Sequence, residues 1–95
     1  MVQDAIARHL MIYGRVQGVW YRAWTVETAR ELGLSGWVRN RTDGSVEALV
    51  QGAPEAVERF VRMAHDGPPA ADVAKVEVSD VSAEHHLGFQ KRPTF

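Results

Sequence analysis

Short stretches with strand periodicity and short stretches with helix periodicity follow one another along this chain, and their order is the strongest constraint on its fold. Alternating or continuous apolar runs predict strands, whereas apolar residues three and four positions apart predict helices. We predict strands over 6–13, 36–40, 46–50 and 73–81, helices over 21–32 and from Pro54 up to Gly67-Pro68-Pro69, and an optional fifth edge strand over 89–92.

The resulting order, β-α-β-β-α-β, is that of the ferredoxin-like split βαβ sandwich, an α+β fold. In this fold an antiparallel sheet carries both helices on one face. Gly33 follows the first helix and predicts a left-handed helix end, and Asp43-Gly44 predicts a hairpin turn. Because this fold hosts enzymes, RNA-binding modules and regulatory domains alike, the function must be inferred from particular residues.

Composition excludes several classes of protein. The 95 residues predict a single domain over 1–95. The chain has no cysteine, which excludes a disulfide scaffold, a thiolate metal site and a cysteine nucleophile. A hydrophobic content of 45% and a net charge of -1 argue against disorder. No signal-peptide pattern and no long apolar run is present, which predicts a cytoplasmic protein without a membrane partner.

The segment between the first strand and the first helix, 14–20, has features of an anion-binding loop. Gly14 and Gly18 permit turns in which successive N–H groups converge on one point. Arg22 lies in the first helical turn, where a cation opposes the helix dipole at a cost of about 0.3–1 kcal/mol that a bound phosphoryl group would remove. A plain loop with a surface arginine explains the same residues, since neither the Walker A nor the Gly-x-Gly-x-x-Gly pattern is present. Spacing alone leaves both interpretations open.

Asn40 ends the second predicted strand. The first two strands run parallel in this fold with the third between them, so Asn40 and the loop at 14–20 are expected at the same edge of the sheet. A carboxamide there can hold a water molecule. Asn40 as the opening residue of the hairpin turn is the simpler interpretation of this residue alone.

Two segments of the chain resemble the signatures of a known family. The phosphate-binding signature of the acylphosphatase family is similar to the run GRVQGV at 14–19 with the aromatic residues and Arg22 that follow. Its second signature is similar to GWVRN at 36–40 with DGSVE at 43–47. The resemblance covers nearly the whole chain, and the fold of that family agrees with the predicted order of elements.

The resemblance implies hydrolysis of acyl phosphates, the mixed anhydrides of a carboxylic acid and phosphate, to a carboxylate and inorganic phosphate. It makes Arg22 and Asn40 the catalytic residues: Arg22 binds the phosphoryl group and Asn40 positions the attacking water. It implies no metal, no organic cofactor and no nucleic-acid partner, and a monomer is its default. The backbone N–H groups that it assigns to phosphoryl binding are those of Arg15, Val16, Gln17, Gly18, Val19, Trp20 and Tyr21.

Positions 20 and 21 depart from the family pattern. Tyr21 stands where phenylalanine is usual, so its hydroxyl needs a partner or a water molecule. Trp20 is bulky for a loop position. Packing is the favoured interpretation of Trp20, and contact with the acyl part of the substrate is the alternative.

Two other functions remain to be weighed. One is a domain that binds phosphate or an acyl phosphate without turnover, as in the acylphosphatase-like modules of larger carbamoyl-transfer proteins. The presence of both Arg22 and Asn40 favours turnover.

The other is an RNA-binding module, which on this fold needs aromatic residues on its central strands. The third strand, within 45–51, has none, and an isoelectric point near 6.4 argues against a broad nucleic-acid surface.

Overall fold

The computed structural model describes residues 5–95, which form a five-stranded sheet with two helices and confirm the predicted order of elements. Residues 1–4, which the predicted domain also includes, lie outside the described part. The elements are β1 (Ile6–Arg15), α1 (Tyr21–Glu31), β2 (Ser35–Asn40), β3 (Val46–Gly52), α2 (Pro54–Ala64), β4 (Asp72–Val81) and β5 (Phe89–Lys91).

The strands lie in the order β4-β1-β3-β2-β5. β1 and β2 each pair antiparallel with β3, so they run parallel to each other and end at the same edge of the sheet. Val46 lies opposite both Ile12 of β1 and Asn40 of β2. This shared register brings Asn40 level with Ile12, three residues before β1 ends, and so to the same edge of the sheet as the loop that follows β1, as the sequence predicts. The fifth strand is also present, and it pairs parallel to β2 rather than antiparallel.

The core lies between the helices and one face of the sheet. Helix α1 ends as predicted, because Gly33 has φ 72° and the N–H groups of Gly33 and Leu34 donate to Arg30 O (3.1 Å) and Ala29 O (2.8 Å). No helix within residues 5–95 has the length and apolar character needed to cross a membrane. The fully buried core side chains include Leu10, Ile12, Val38, Val46, Ala48 and Val50 from the sheet and Tyr21, Ala29, Val57 and Phe60 from the helices.

Tyr21 ties the start of α1 to the end of α2. Its ring is buried and packs edge-on against Trp24, with 5.3 Å between the ring centroids. Its hydroxyl donates to Ala64 O at 2.6 Å, which is the partner that the sequence requires for a buried tyrosine. Burial raises the pKa of Tyr21 well above its usual value, so the hydroxyl stays protonated as a donor.

Two local expectations are corrected. Gly14 belongs to β1 rather than to the loop: β1 is irregular between Tyr13 and Gly14, and a Cβ on Gly14 would lie 2.4 Å from Asp72 O of β4. β4 also lacks the continuous buried face that its alternation predicts. Val76 packs against the core, whereas Val78 is exposed, because α2 lies over β1 and β3 and β4 is the outer strand.

Candidate active site

The loop between β1 and α1 is held by buried valines and bends at two left-handed residues. Val16 and Val19 are buried in the core. Gly18 has φ 72° and Trp20 has φ 68°, while the space around a Cβ on Gly18 is open. Glycine is therefore needed at position 18 because of its left-handed backbone conformation, and not because a side chain there would clash. Left-handed residues within a short loop turn its N–H groups toward a common side, which is the geometry of an anion-binding nest.

Gln17 fastens this loop to the β2–β3 hairpin. Its Nε2 donates to Arg41 O at 2.7 Å and to Ser45 O at 2.8 Å. The same two residues close the hairpin, since Arg41 N donates to Ser45 O at 2.8 Å. The side chain of Gln17 thus positions the loop against the turn that follows Asn40. The sequence assigned a role, phosphoryl binding, only to the backbone N–H of Gln17. It did not reveal the role of the side chain, because the two carbonyl acceptors are distant along the chain.

Arg22 lies in the first turn of α1, half-buried. That turn holds no acidic residue, and among residues 5–95 the guanidinium of Arg22 has no hydrogen bond or ion pair. A half-buried cation beside the positive end of a helix dipole is electrostatically unfavourable until an anion joins it. The free donors of Arg22 and the unbonded N–H groups of the first helical turn are therefore available to the same anion.

Asn40 is held by its backbone and has a free side-chain oxygen. Its carbonyl oxygen accepts a hydrogen bond from Phe95 N at 3.0 Å, and it pairs with Val46 in the sheet. Within the described residues, its buried Oδ1 has no hydrogen-bond partner. A buried amide oxygen left without a partner costs about 1–3 kcal/mol, which a bound water molecule would recover.

A cavity of about 280 Å³ brings these groups together. Of the residues that the sequence predicts for the site, Arg15, Gln17 and Val19 do not line it. Arg15 is exposed at the end of β1, and Val19 is buried in the core. The predicted residues that do line the cavity are Val16, Gly18, Trp20, Tyr21, Arg22 and Asn40, and Ala23 and Lys91 join them.

Lys91 is a cavity residue that sequence reasoning missed. It lies at the end of β5, opposite Val38 of β2, and its ammonium group has no ion pair among residues 5–95. Only the parallel pairing of β5 with β2 brings it to the cavity. No local pattern predicts that pairing, and Arg92 follows Lys91 directly, so its charge does not single it out in the sequence.

The favoured interpretation of Trp20 is wrong. The indole does not pack into the loop but is 80% exposed at the cavity, beside Tyr21, which is buried. The structure thus leaves Trp20 as an apolar side chain on the rim of the cavity.

The opposite face of the sheet carries a second group of basic side chains around one carboxylate, which we call the Glu47 cluster: Glu47, His9, Arg39 and Arg41. The carboxylate of Glu47 is 8% exposed and accepts hydrogen bonds from Arg39 Nε at 2.6 Å and Arg41 Nη1 at 3.2 Å, and His9 Nε2 lies 2.7 Å from it. Burial by itself raises the pKa of Glu47, but the contacts with His9 and Arg39 outweigh it and hold the pKa below its ordinary value.

Among residues 5–95, no three histidine, aspartate or glutamate side chains lie close enough together to hold a metal ion.

Comparisons with known proteins identify the family. The family model described as Acylphosphatase matches residues 8–91. A relative named Acylphosphatase from Azoarcus sp. (strain BH72) is 59% identical over 88 residues, which cover 93% of this chain and 90% of that protein. The solved structure of an acylphosphatase from Coxiella burnetii has a TM-score of 0.91 and 31% identity, with 94% of each chain covered.

A larger protein contains a similar unit. Full-length HypF, solved in a phosphate- and nucleotide-bound form, has a TM-score of 0.91 and 26% identity; the match covers 99% of this chain and 13% of HypF. The family model matches residues 8–91, a range that includes both signature segments, the loop before α1 and the β2–β3 hairpin. The chain therefore belongs to the acylphosphatase family, hydrolases of acid anhydrides whose substrates are acyl phosphates.

Proposed function

We propose that this chain hydrolyses acyl phosphates by attack of a water molecule held by Asn40 on a phosphoryl group held by Arg22 and the loop, without a metal ion or an organic cofactor. The observation that carries this proposal is the meeting, in one cavity, of a guanidinium without a partner and a buried carboxamide oxygen without a partner. The first suits an anion and the second suits a water molecule.

Phosphoryl binding is assigned to backbone and guanidinium donors together. The N–H groups of the loop residues that line the cavity and the fork of Arg22 offer donors to a group with several charged oxygens. The left-handed conformations at Gly18 and Trp20 support this role of the loop. Because the backbone donors are set by the folded loop before the substrate arrives, they stabilise charge that builds up in the transition state at little cost of reorganisation.

Water positioning is assigned to Asn40. Its Oδ1 accepts a hydrogen bond from the water and orients a lone pair toward phosphorus. Asn40 is not a general base, because a carboxamide does not take up a proton at neutral pH. A phosphoryl oxygen of the substrate is the proton acceptor that we propose.

The leaving group needs little help. The bond between phosphorus and the bridging oxygen breaks, its electron pair stays with the carboxylate, and a bond from the water oxygen to phosphorus forms. The proton lost by the water ends on the phosphate product, so an acyl phosphate dianion and water give a carboxylate and dihydrogen phosphate. Because carboxylic acids have pKa values of about 4, a carboxylate leaves without prior protonation. Positioning and charge stabilisation are then the main tasks of the protein.

Benzoyl phosphate hydrolysis by metal-stripped protein tests the proposal. Wild type is assayed beside Arg22→Ala, Asn40→Ala and the control Arg59→Ala, which changes an exposed arginine on α2. We expect wild type and the control to release phosphate. Arg22→Ala should lose turnover and phosphate affinity together, whereas Asn40→Ala should lose about a hundredfold or more in kcat while still binding inorganic phosphate.

Three results would contradict the proposal. Loss of wild-type activity on chelation that metal restores would remove the metal-independent mechanism. Equal loss of phosphate affinity in both site variants would remove their separate roles. No turnover by folded wild type that still binds phosphate would favour a binding domain, the function that the match to the phosphate-bound HypF keeps as second candidate.

A further inference from the structure

Trp20 combines two features that cost stability. Its backbone is left-handed, with φ 68° and ψ 20°, a conformation that costs a residue with a Cβ about 1–2 kcal/mol. Its indole is 80% exposed, so the largest apolar side chain available to a protein gains almost nothing from burial. Neither feature is needed for the turn itself, because glycine or asparagine adopts this conformation more readily.

The position of Trp20 connects the indole with the substrate. Trp20 directly precedes Tyr21 and Arg22, and all three line the cavity. In an acyl phosphate only the bridging oxygen separates phosphorus from the acyl group, so the acyl group lies close to the residues around the phosphoryl site. In-line displacement directs the leaving group away from the attacking water. Asn40 reaches the cavity from β2, whereas Trp20 reaches it from a different lining segment, the loop before α1.

We propose that the exposed indole of Trp20 is the contact surface for the acyl group and gives this enzyme a preference for acyl phosphates with a flat, apolar acyl group, such as an aromatic one. The inference rests on the proposed function and adds a substrate class to it. An indole face stacks on an aromatic ring and covers its apolar surface, but it has little to offer a methyl group. The indole is free to do so, since it has no ring contact with another aromatic side chain among residues 5–95.

A comparison of benzoyl phosphate with acetyl phosphate tests this inference. The variants are Trp20→Asn, which tolerates the left-handed backbone, and Trp20→Phe, which keeps an aromatic face. Leu87→Asn is the control, because Leu87 is 77% exposed and does not line the cavity. For each protein KM and kcat are measured with both substrates, together with the inhibition constant of inorganic phosphate.

We expect Trp20→Asn to raise KM for benzoyl phosphate about fivefold, the size of one aromatic contact. The effect on KM for acetyl phosphate and on the inhibition constant of phosphate should be clearly smaller, since asparagine keeps the backbone N–H of position 20 and neither ligand offers an aromatic ring. Trp20→Phe should restore most of the preference, and Leu87→Asn should leave it unchanged. The thermal midpoint of Trp20→Asn should equal or exceed that of wild type, because no packing is lost.

Two outcomes would overturn the inference. Hydrolysis of both substrates by wild type, with KM values that Trp20→Asn changes equally or not at all, would overturn the role of Trp20 and leave the proposed function intact. Hydrolysis of neither substrate by folded wild type would overturn the proposed function and this inference with it.

Discussion

Cationic side chains lie on both faces of the sheet, and the two groups differ in what neutralises them. In the Glu47 cluster, Arg39 and Arg41 share one buried carboxylate. Arg39 also lies over two aromatic rings, with its guanidinium carbon 4.8 Å from the centroid of Trp37 and 4.4 Å from that of Phe95. In the cavity on the helix side, Arg22 and Lys91 have no acidic partner within residues 5–95.

We propose that this difference separates residues that stabilise the fold from residues kept for a ligand. A paired and stacked arginine has its favourable contacts in the free protein, so its removal costs stability. An unpaired arginine beside a helix N-terminus costs stability until an anion binds, so its removal costs function. The arginine content of the chain alone does not distinguish the two groups, because both lie near loops and strand ends.

The largest expected effect separates the two groups directly. Arg22→Ala should lower kcat/KM for benzoyl phosphate about a thousandfold, because it removes the main positive charge on the phosphoryl group. The free energy of unfolding should stay equal or rise by about 0.3–1 kcal/mol as the conflict with the helix dipole disappears. Arg39→Ala should show the opposite: lower stability and kcat/KM close to wild type. Denaturant titration measures the free energy of unfolding of both variants, and steady-state kinetics measures their kcat/KM. A similar loss of stability in both variants would contradict the division between a stabilising and a ligand-binding arginine.

Glu47→Gln should cost about 2–3 kcal/mol of unfolding free energy, because it leaves Arg39 and Arg41 without their shared counter-charge. The pKa of Glu47 is below its ordinary value of 4.5, so its stabilising contribution is complete above that pH and is lost as the pH falls through the lowered value. Wild type should therefore lose more stability in acid than the variant does.

Denaturant titrations at neutral and acidic pH measure this second effect. Glu77→Gln is the matched control: Glu77 is exposed and pairs with Lys75 at 3.3 Å, a surface contact worth less than about 1 kcal/mol. The role of the cluster would be in doubt if both glutamine variants lost the same stability at neutral pH.

Gln17→Ala should cost about 1–2 kcal/mol in stability, since two hydrogen bonds between the loop and the hairpin are lost. The loop and Asn40 would then be held less firmly to each other, so kcat/KM should fall about tenfold. Gln90→Ala, on the exposed edge strand β5, is the control. A variant with lower stability but unchanged kinetics would limit Gln17 to a structural role.

Lys91→Gln should have the smallest effect. The loss of one cation from the cavity should weaken inhibition by inorganic phosphate about threefold, less at high salt because exposed charges are screened. Lys75→Gln, on the far edge strand β4, serves as the control. An unchanged inhibition constant at low salt would mean that Lys91 does not contribute to the field of the cavity.

Much of the fold follows from local patterns in the sequence. The first helix, the glycine end at Gly33 and the Asp43-Gly44 turn are each defined within a few residues, and the structure confirms them. The meeting of Asn40 with the loop was predictable too, because the parallel relation of β1 and β2 follows from the order of elements.

Contacts between distant segments account for what sequence reasoning missed. Lys91 reaches the cavity only through the parallel pairing of a three-residue strand. Gln17 looks like one more loop residue until the hairpin supplies two carbonyl acceptors. Trp20 was misjudged because apolar residues usually gain by burial, and no local pattern indicates that a side chain stays in solvent to meet a ligand.

The shared register of Val46 has a consequence for how activity arises during folding. Because Val46 lies between Ile12 and Asn40, the loop and Asn40 come together only when both central strand pairings have formed. A slip of one residue in either pairing would turn the affected side chains to the opposite face of the sheet. Preformed helices cannot replace these pairings, so a refolding chain gains its enzymatic activity with the sheet and at no earlier stage.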